Sequence, residues 1–264
     1  MVKRLIQKGY IGLVIVFLYA PILVLMVLSF NGSKYRSKWG GFTFKWYHEL
    51  LENEKILNAL WTTLLLALLS ALLATMLGTL AAVAMNRMKK LPKAIMMSIT
   101  NIPILNSEIV IGISMMLLYF AISFSLGFTS VLLALTAAHM PYVILNVLPK
   151  LRQTSRSTYE AALDLGASPV FAFFKIVLPD IFPGVLSGFM LAFTLALDDF
   201  VITHFTKDAK VSTLSTVIYA ETRRGIEPEI YALSTIMFTV VLVLLIVMNR
   251  MKASAAKKLA EQQK

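Results

Sequence analysis

The chain has 264 residues, of which 58% are hydrophobic and only 15% are charged; it contains no cysteine and its formal net charge is +11. A soluble domain carries about 25% charged residues, so this composition excludes a disordered chain, a disulfide-stapled or zinc-cysteine domain, and an ordinary soluble enzyme. The charges lie in short gaps between long apolar segments. This pattern argues against nucleic-acid binding and predicts an integral membrane protein in a lipid bilayer.

Six apolar segments are long enough to cross a bilayer as helices, which takes about 20 residues each. In chain order they cover approximately residues 10–30, 60–85, 94–122, 128–148, 181–203 and 232–248. Pro103 and Pro141 lie inside the third and fourth segments, where neighbouring helices can satisfy the backbone groups that a proline frees. The expected fold is therefore all-α, with one transmembrane domain over residues 1–264 and six transmembrane helices.

The positions of lysine and arginine predict the orientation of these helices. With the N-terminus in the cytoplasm, most of the 25 lysines and arginines fall in cytoplasmic gaps and tails, as the positive-inside rule requires. Lys3, Arg4 and Lys8 precede the first segment as they do in a signal peptide, but the segment is long and no cleavage site follows it. We therefore expect a retained first helix and both termini in the cytoplasm.

The gap over residues 150–180 joins the fourth and fifth segments and is predicted to be cytoplasmic. Its residues predict two short helices: Gly166 suits the left-handed end of the first, and Ser168 can cap a second that Pro179 ends. The second helix has an aromatic face, which either docks into a groove on a partner protein or lies on the bilayer surface. The loop residues alone leave both possibilities open.

Three carboxylates lie within the predicted spans: Glu108 in the third, and Asp198 and Asp199 in the fifth. Ionisable groups inside a membrane indicate function by default. From cytoplasmic ends near residues 94 and 181, the helical rise places Glu108 about 21 Å and Asp198 about 26 Å into the membrane. Neighbouring helix positions differ by about 100°, so the two aspartates face different directions, and the sequence leaves open which of them faces a pathway.

A multiply charged cation crossing the membrane needs carboxylates to replace its hydration and aromatic rings to contact its ammonium groups. Trp46 and Tyr47, in the first outer gap, are the aromatic candidates for such a pathway. Structural roles are the alternative. They are an aromatic belt at the membrane surface for these two, a helix-end or interface contact for Asp199, to Lys207 or Arg223, and a hydrogen bond in a kinked helix for Glu108.

Motifs of enzymes and metalloproteins are absent from the sequence. There is no Gly-x-x-x-x-Gly-Lys-Ser/Thr loop for ATP, no His-Glu-x-x-His and no Gly-x-Ser-x-Gly. We therefore expect no catalytic residue, no metal site and no cofactor bound by this chain. A membrane enzyme with Asp198 and Asp199 as an acid–base pair is disfavoured, because neighbouring helical positions diverge and no nucleophile accompanies them.

The loop over residues 150–180 resembles the EAA loop of permease subunits of bacterial ABC importers. The matching residues, in order, are Glu160, Ala161, Ala162, Gly166, Ala167, Ser168, Phe174, Ile176, Leu178 and Pro179. In that family the loop is the coupling helix, which inserts into a cleft of the ATPase subunit. The resemblance therefore implies that this part of the loop contacts an ATPase.

Three further segments resemble the spermidine/putrescine permeases of the PotC type, and this resemblance extends over nearly the whole chain. They are Leu28-Ser29-Phe30-Asn31, Gly41-Phe42-Thr43 with Trp46-Tyr47, and Leu197-Asp198-Asp199-Phe200-Val201. The resemblance implies half of the pathway of an ATP-driven polyamine importer in a bacterial inner membrane. It does not decide whether spermidine or putrescine is the preferred substrate. Two alternative functions also stay open: an ABC importer for another substrate, and a stand-alone secondary transporter.

The same resemblance implies partner subunits. They are a second homologous permease (PotB-like), an ATPase dimer (PotA-like) that holds ATP and magnesium, and an extracytoplasmic polyamine-binding protein (PotD-like). ATP hydrolysis is then expected on the ATPase partner, so the chain itself is expected to be a transport subunit and not an enzyme.

Overall fold

The computed structural model describes residues 2–35, 37–154, 156–224, 227–240 and 242–243. Across these ranges the backbone is helical or in turns, apart from one isolated antiparallel bridge between Asn31 and Phe42, which confirms the all-α prediction. The helices are α1 (Val2–Ser29), α2 (Lys45–Glu52), α3 (Glu54–Arg87), α4 (Lys90–Leu105), α5 (Glu108–Ala121), α6 (Phe128–Gln153), α7 (Arg156–Asp164), α8 (Pro169–Ala172), α9 (Leu178–Asp198), α10 (Val201–Thr206) and α11 (Leu214–Arg224). A further helix covers 228–240.

Four segments are long and apolar enough to cross a membrane: Gly9–Ser29, Glu54–Arg87, Phe128–Gln153 and Pro169–Asp198. The pair α4 and α5 meets the same criterion as a fifth span, but its two halves are bent by 106°. The predicted sixth segment, 232–248, falls partly on residues outside the described ranges, and its part up to residue 240 is helical. By length and composition, the described chain thus holds four to five spans.

The third predicted segment is a broken helix. α4 ends at Leu105 and α5 begins at Glu108, while Asn106 and Ser107 between them are extended. Pro103 lies inside α4, not at the break. The break puts Glu108 in the first turn of α5, where free backbone N–H groups favour a negative charge.

The fifth predicted segment begins and ends earlier than predicted. Pro179 does not end the loop helix: α8 continues through a π-helical segment, Phe173–Val177, directly into α9. A proline cannot donate the hydrogen bond of a regular turn, and the wider π turn accommodates that loss. At the other end, α9 stops at Asp198, and Val201–Thr206 form the separate helix α10 instead of continuing the span to residue 203.

Residues 58–217 form one compact unit with α6 at its centre. α6 packs along α9, and the buried side chains between them include Val143, Val147, Leu148 and Ile181. At Gly188 the two backbones approach so closely that a Cβ would lie 3.1 Å from the Cα of Val143. Close packing of this kind fixes α9, and with it the C-terminal Asp198, relative to α6.

Residues 1–57 and 218–264 form the other unit. In its described part, Tyr19 of α1 meets Phe238 edge to face, with ring centroids 6.5 Å apart. Asn53 donates a hydrogen bond of 2.8 Å to the carboxylate of Glu229, and Lys55 forms an ion pair of 2.8 Å with Glu221. These contacts join the residues around the start of α3 to the last described helices.

Candidate functional site

Asp199 follows α9 directly, and its carboxylate organises the first turn of α10. One oxygen, Oδ2, accepts hydrogen bonds from the backbone N–H of Thr203 at 2.8 Å and from its hydroxyl at 2.6 Å. The other, Oδ1, accepts from the N–H of Ile202 at 3.3 Å. Asp199 is therefore a helix-end residue, as one interpretation of the sequence expected, but its partners lie in α10; Lys207 instead donates to the carbonyl of Val211.

Asp198 is the last residue of α9, and its environment differs from that of Asp199. Asp199 is only 8% exposed, whereas Asp198 is exposed. The unpaired carbonyls at the C-terminal end of α9 add partial negative charge beside the Asp198 carboxylate. Of the two aspartates, Asp198 is thus the one that a solute can reach in this conformation.

Glu108 is brought to the two aspartates by the packing of α5 against α10. Gly112, one turn after Glu108, makes the approach possible, because a Cβ there would lie 3.0 Å from the Phe205 ring and 3.4 Å from the Cα of Ile202. The three carboxylates are close enough to interact electrostatically. The structure therefore gathers the three predicted acids where two helix breaks meet, a geometry that transporters use for ion and substrate sites.

Buried hydrogen bonds hold the far end of α10 in place. The hydroxyl of Ser130, at the start of α6, donates to the carbonyl of Thr206 at 2.7 Å. The hydroxyl of Tyr119, near the end of α5, donates to the carbonyl of Ser130 at 2.8 Å. Helices α5, α6 and α10 are thus tied together on the side opposite the Asp199 contacts, which limits how α10 can move relative to the carboxylates.

Trp46 and Tyr47 lie in the other unit, in the first turn of α2, and contact the turn that follows α1. Trp46 is 2% exposed, and its indole N–H donates to the carbonyl of Asn31 at 2.6 Å. The hydroxyl of Tyr47 lies 2.8 Å from that of Ser29, and its ring stacks on Phe30 with centroids 5.3 Å apart. Both side chains therefore have a structural role in this turn, and their part in a substrate pathway stays a prediction.

The loop between α6 and α9 contains the turn predicted at Gly166. α7 ends there with φ +87°, and two hydrogen bonds close the turn: Gly166 N–H to the carbonyl of Leu163 at 2.9 Å, and Ala167 N–H to the carbonyl of Ala162 at 3.0 Å. This is a Schellman motif, which favours glycine at the left-handed position because an L side chain is strained there. The predicted helix end is confirmed.

The second loop helix begins as predicted at Ser168, whose hydroxyl oxygen accepts a hydrogen bond of 3.2 Å from the N–H of Phe171. Apolar side chains along the loop are nevertheless exposed to an unusual degree: Leu165 (89%), Val170 (67%), Phe171 (59%) and Phe174 (61%). Of the residues predicted to contact an ATPase, Ala162 and Ala167 are half-buried, and the exposed ones are Glu160, Ala161, Gly166, Ser168 and Pro179. Exposed apolar groups so close together indicate a contact surface.

Two contacts of the site were not predicted. Thr203 holds Asp199. The sequence signal for this helix start is an aspartate just before an apolar segment, and it applies only if the predicted span breaks there. The other joins Arg87, at the end of α3, to Tyr159 of α7, with 3.0 Å between the Arg87 Nη2 and the tyrosine hydroxyl. No local sequence pattern marks that pair, because 72 positions separate its members.

No group of three or more His, Asp and Glu side chains within the described ranges has a geometry that could hold a metal ion. The expectations that this chain binds no metal and no cofactor stay predictions.

Comparison with known proteins identifies the class. Residues 74–261 match the family described as "Binding-protein-dependent transport system inner membrane component". The match covers more than half of the chain, so the chain belongs to this family of transport components and is a multi-pass protein of the inner membrane. The membership argues against both a stand-alone secondary transporter and a membrane enzyme, and it confirms the resemblance drawn from the loop.

Among the relatives are polyamine permeases. The chain is 36% identical over 246 residues to the spermidine/putrescine transport system permease protein PotC of Escherichia coli (strain K12), with 93% of each chain covered. It is 36% identical over 228 residues to the putrescine transport system permease protein PotI of the same organism, covering 83% of this chain and 81% of PotI. PotC of Haemophilus influenzae is 34% identical over 246 residues, with 93% and 96% covered.

Solved structures share the fold. A bacterial ABC transporter that imports the acidic polysaccharide alginate superposes with a TM-score of 0.73 at 19% identity, covering 95% of this chain and 94% of that one. An amino acid ABC transporter determined with histidines gives a TM-score of 0.54 at 20% identity, covering 77% and 98%. The chain therefore has the fold of an ABC importer permease.

Proposed function

We propose that this chain is a permease subunit of an ATP-driven polyamine importer and that Glu108, Asp198 and Asp199 form the acidic part of its pathway. The observation that carries the proposal is the meeting of these three carboxylates at two helix breaks. A di- or tri-cationic polyamine that leaves water needs such groups to replace its hydration. The names of the relatives PotC and PotI, which specify spermidine and putrescine, support the same substrate class.

The three acids have different parts in this proposal. Asp198 is exposed at the negative end of α9 and contacts the cation directly. Asp199 is committed to Thr203 and holds α10 in position, so its charge contributes to the field without direct contact. Glu108 approaches from the positive N-terminal end of α5 and completes the cluster. Trp46 and Tyr47 stay the aromatic residues proposed for this pathway.

The proposed topology has six spans in a single domain over residues 1–264, with both termini in the cytoplasm. The four to five spans in the described chain support it, and so does the excess of lysine and arginine in the gaps assigned to the cytoplasm. In this topology residues 150–180 are the cytoplasmic EAA loop, and the acids lie in the outer half of the membrane.

The EAA loop is proposed to dock into a cleft of the ATPase subunit. The exposed apolar side chains of Leu165, Phe171 and Phe174 supply the contact area, and the closed turn at Gly166 presents them on a defined backbone. The complete importer then contains a second, PotB-like permease, a PotA-like ATPase dimer with ATP and magnesium, and a PotD-like extracytoplasmic binding protein.

The helical segment Pro169–Asp198 links docking to transport. It runs without interruption for 30 residues, about 45 Å at the helical rise of 1.5 Å per residue. Its first turn belongs to the docking loop, and its last residue is a pathway carboxylate. ATP binding that closes the ATPase dimer displaces the loop, and this segment carries the displacement to Asp198. Alternating access follows, and this chain performs no chemistry itself.

The test is uptake by the complete importer reconstituted in proteoliposomes, with radiolabelled spermidine and putrescine. We expect ATP-dependent uptake that unlabelled polyamines compete away and that sulfate, phosphate or amino acids do not. If no polyamine competes while another solute is taken up, the substrate class is wrong and the chain serves an importer for a different substrate. If the ATPase does not copurify with this chain, the docking role of the loop is wrong.

A further inference from the structure

Arg87 and Tyr159 make a two-part contact between the end of α3 and the first loop helix, α7. The Nη2 of Arg87 donates a hydrogen bond of 3.0 Å to the tyrosine hydroxyl, and its guanidinium carbon lies 5.3 Å from the ring centroid. The hydrogen bond sets the direction of the ring and the cation–π contact sets its distance. The planar guanidinium, with its donors in a fixed fork, can make both contacts at once.

This contact crosses an open cleft. A cavity of about 650 Å³ lies between the end of α3, the end of α6 and the loop. Its lining includes Val83 and Asn86 from α3, Met88 directly after it, and Glu160 and Leu163 from α7. At this point α3 and α7 therefore do not share a continuous packed interface, and the Arg87–Tyr159 contact bridges the space between them.

The connectivity of the chain makes this bridge important. α6 precedes the loop directly and α9 continues out of it, so any displacement of the loop reaches both helices through the main chain. α3 has no such covalent connection, because α4, α5 and α6 intervene in sequence. Movement of the loop therefore reaches α3 by two routes: indirectly through α6, on which Met85 and Ala82 of α3 pack, and directly from α7 through the Arg87–Tyr159 contact.

We propose that the Arg87–Tyr159 contact transmits movement of the coupling loop to α3. We call this contact the strut, because it holds α3 and α7 at a fixed distance. Arg87 and Tyr159 are then positioning residues for transport, and they do not themselves contact the substrate. The inference rests on the proposed coupling role of the loop. The contact is solvent-exposed, so water and salt screen it and its contribution to folding is small, whereas its effect on the distance between α3 and α7 is direct.

The variants Arg87→Gln and Tyr159→Phe, separately and together, test the strut in the complete reconstituted importer. Each single variant is expected to lower the number of substrate molecules imported per ATP hydrolysed by about fivefold. This factor corresponds to the loss of one exposed cation–π contact, roughly 1 kcal/mol. The double variant is expected to fall no further than the singles, since either change already breaks the contact. Copurification of the ATPase and the thermal unfolding temperature are expected to stay as in the parent.

The chain offers a matched control in Arg223 and Tyr219. This pair has the same chemistry, with an Nη2–hydroxyl distance of 2.5 Å and a cation–π distance of 4.8 Å, but both residues belong to one helix, α11. Arg223→Gln is expected to leave the transport ratio unchanged. If Arg87→Gln and Tyr159→Phe also leave it unchanged while the parent transports, the strut is wrong and the proposed function stands. A parent complex without ATP-driven uptake contradicts the proposed function itself.

A second measurement uses the absence of native cysteine from this chain. The double variant Arg87→Cys/Tyr159→Cys carries two thiols and no other cysteine. A short bifunctional methanethiosulfonate reagent can join these two thiols. Joining the thiols is expected to restore the transport ratio that the pair lost, by at least threefold, because a covalent bridge replaces the strut. A cross-linked complex with no recovery overturns the proposal.

Discussion

Asp199 and Thr203 are joined twice, because a single carboxylate oxygen accepts both the backbone N–H and the hydroxyl of the threonine. In Asp199→Asn one of the two acceptor oxygens becomes an amide NH₂, so either the Ile202 N–H or the Thr203 donors lose their acceptor. We expect a loss of about 1–3 kcal/mol, since buried donors lose their partner. Thr203→Val removes one bond only and is expected to cost about 1 kcal/mol. Thermal unfolding of the purified complex measures both losses.

The matched control for this pair is Thr194→Val, because the Thr194 hydroxyl is exposed and bonds only to the carbonyl of Met190 in its own helix. Its unfolding temperature is expected to equal that of the parent. An Asp199→Asn protein as stable as the parent contradicts the assigned hydrogen bonds.

Asp198 and Glu108 are expected to matter for transport more than for folding, since both are exposed. Asp198→Asn and Glu108→Gln keep the side-chain size and remove one charge each. We expect polyamine uptake at subsaturating substrate to fall about tenfold in each, which corresponds to roughly 1.4 kcal/mol of lost cation binding. Glu52→Gln, which removes an exposed carboxylate of α2, is the control and keeps normal uptake. If the parent, the two pathway variants and the control all show equal uptake, Asp198 and Glu108 do not belong to the pathway.

Substitution of Gly166 tests the effect of backbone strain without a steric clash. A Cβ at this position meets nothing within 4 Å, but φ is +87°, so Gly166→Ala strains only the backbone, by about 1–2 kcal/mol. Gly166→Asn is expected to be tolerated better, because asparagine enters this region more readily. The readout is the amount of ATPase that copurifies. The control is Gly12→Ala, because Gly12 is equally free of neighbours and has no positive φ; it is expected to keep full copurification. If Gly166→Ala also keeps full copurification, the turn does not matter for docking.

Trp46 is expected to stabilise the turn after α1 through its indole N–H. Trp46→Phe keeps an aromatic ring and leaves the Asn31 carbonyl without its 2.6 Å partner, at a cost of about 1–3 kcal/mol. Limited proteolysis between residues 31 and 44 measures the loosening of the turn. Trp61→Phe changes an indole that is 68% exposed and is expected to leave the cleavage rate unaltered; equal rates in the two variants contradict the structural role of Trp46.

Much of the fold was predictable because hydropathy reports burial in a membrane directly. Each described span overlaps one of the predicted apolar segments. Gly166 and Ser168 end and begin helices through local chemistry that their residue types already indicate. These features depend on a few neighbouring residues, so they can be inferred from the sequence without knowledge of the tertiary structure.

The breaks in the third and fifth segments were not predictable in the same way. An apolar run through Asn106 and Ser107 gives no reason to bend by 106°, because the bend depends on what α5 packs against. The contact of Gly112 with α10 is such a tertiary cause. For the candidate site, residue type singled out the three acids, but only the packing distinguishes the buried Asp199 from the exposed Asp198.

The π-helical segment Phe173–Val177 affects how the two ends of the Pro169–Asp198 helix are rotated relative to each other. Each residue added to a helix turns its far end by about 100°, and a π turn accommodates one residue more than an α turn would. Since packing on α6 holds α9 in place, the wider turn sets the direction in which the loop residues before it face relative to α9. Removing one residue there would leave α9 packed on α6 and rotate the docking side chains of the loop by about 100° around the helix axis.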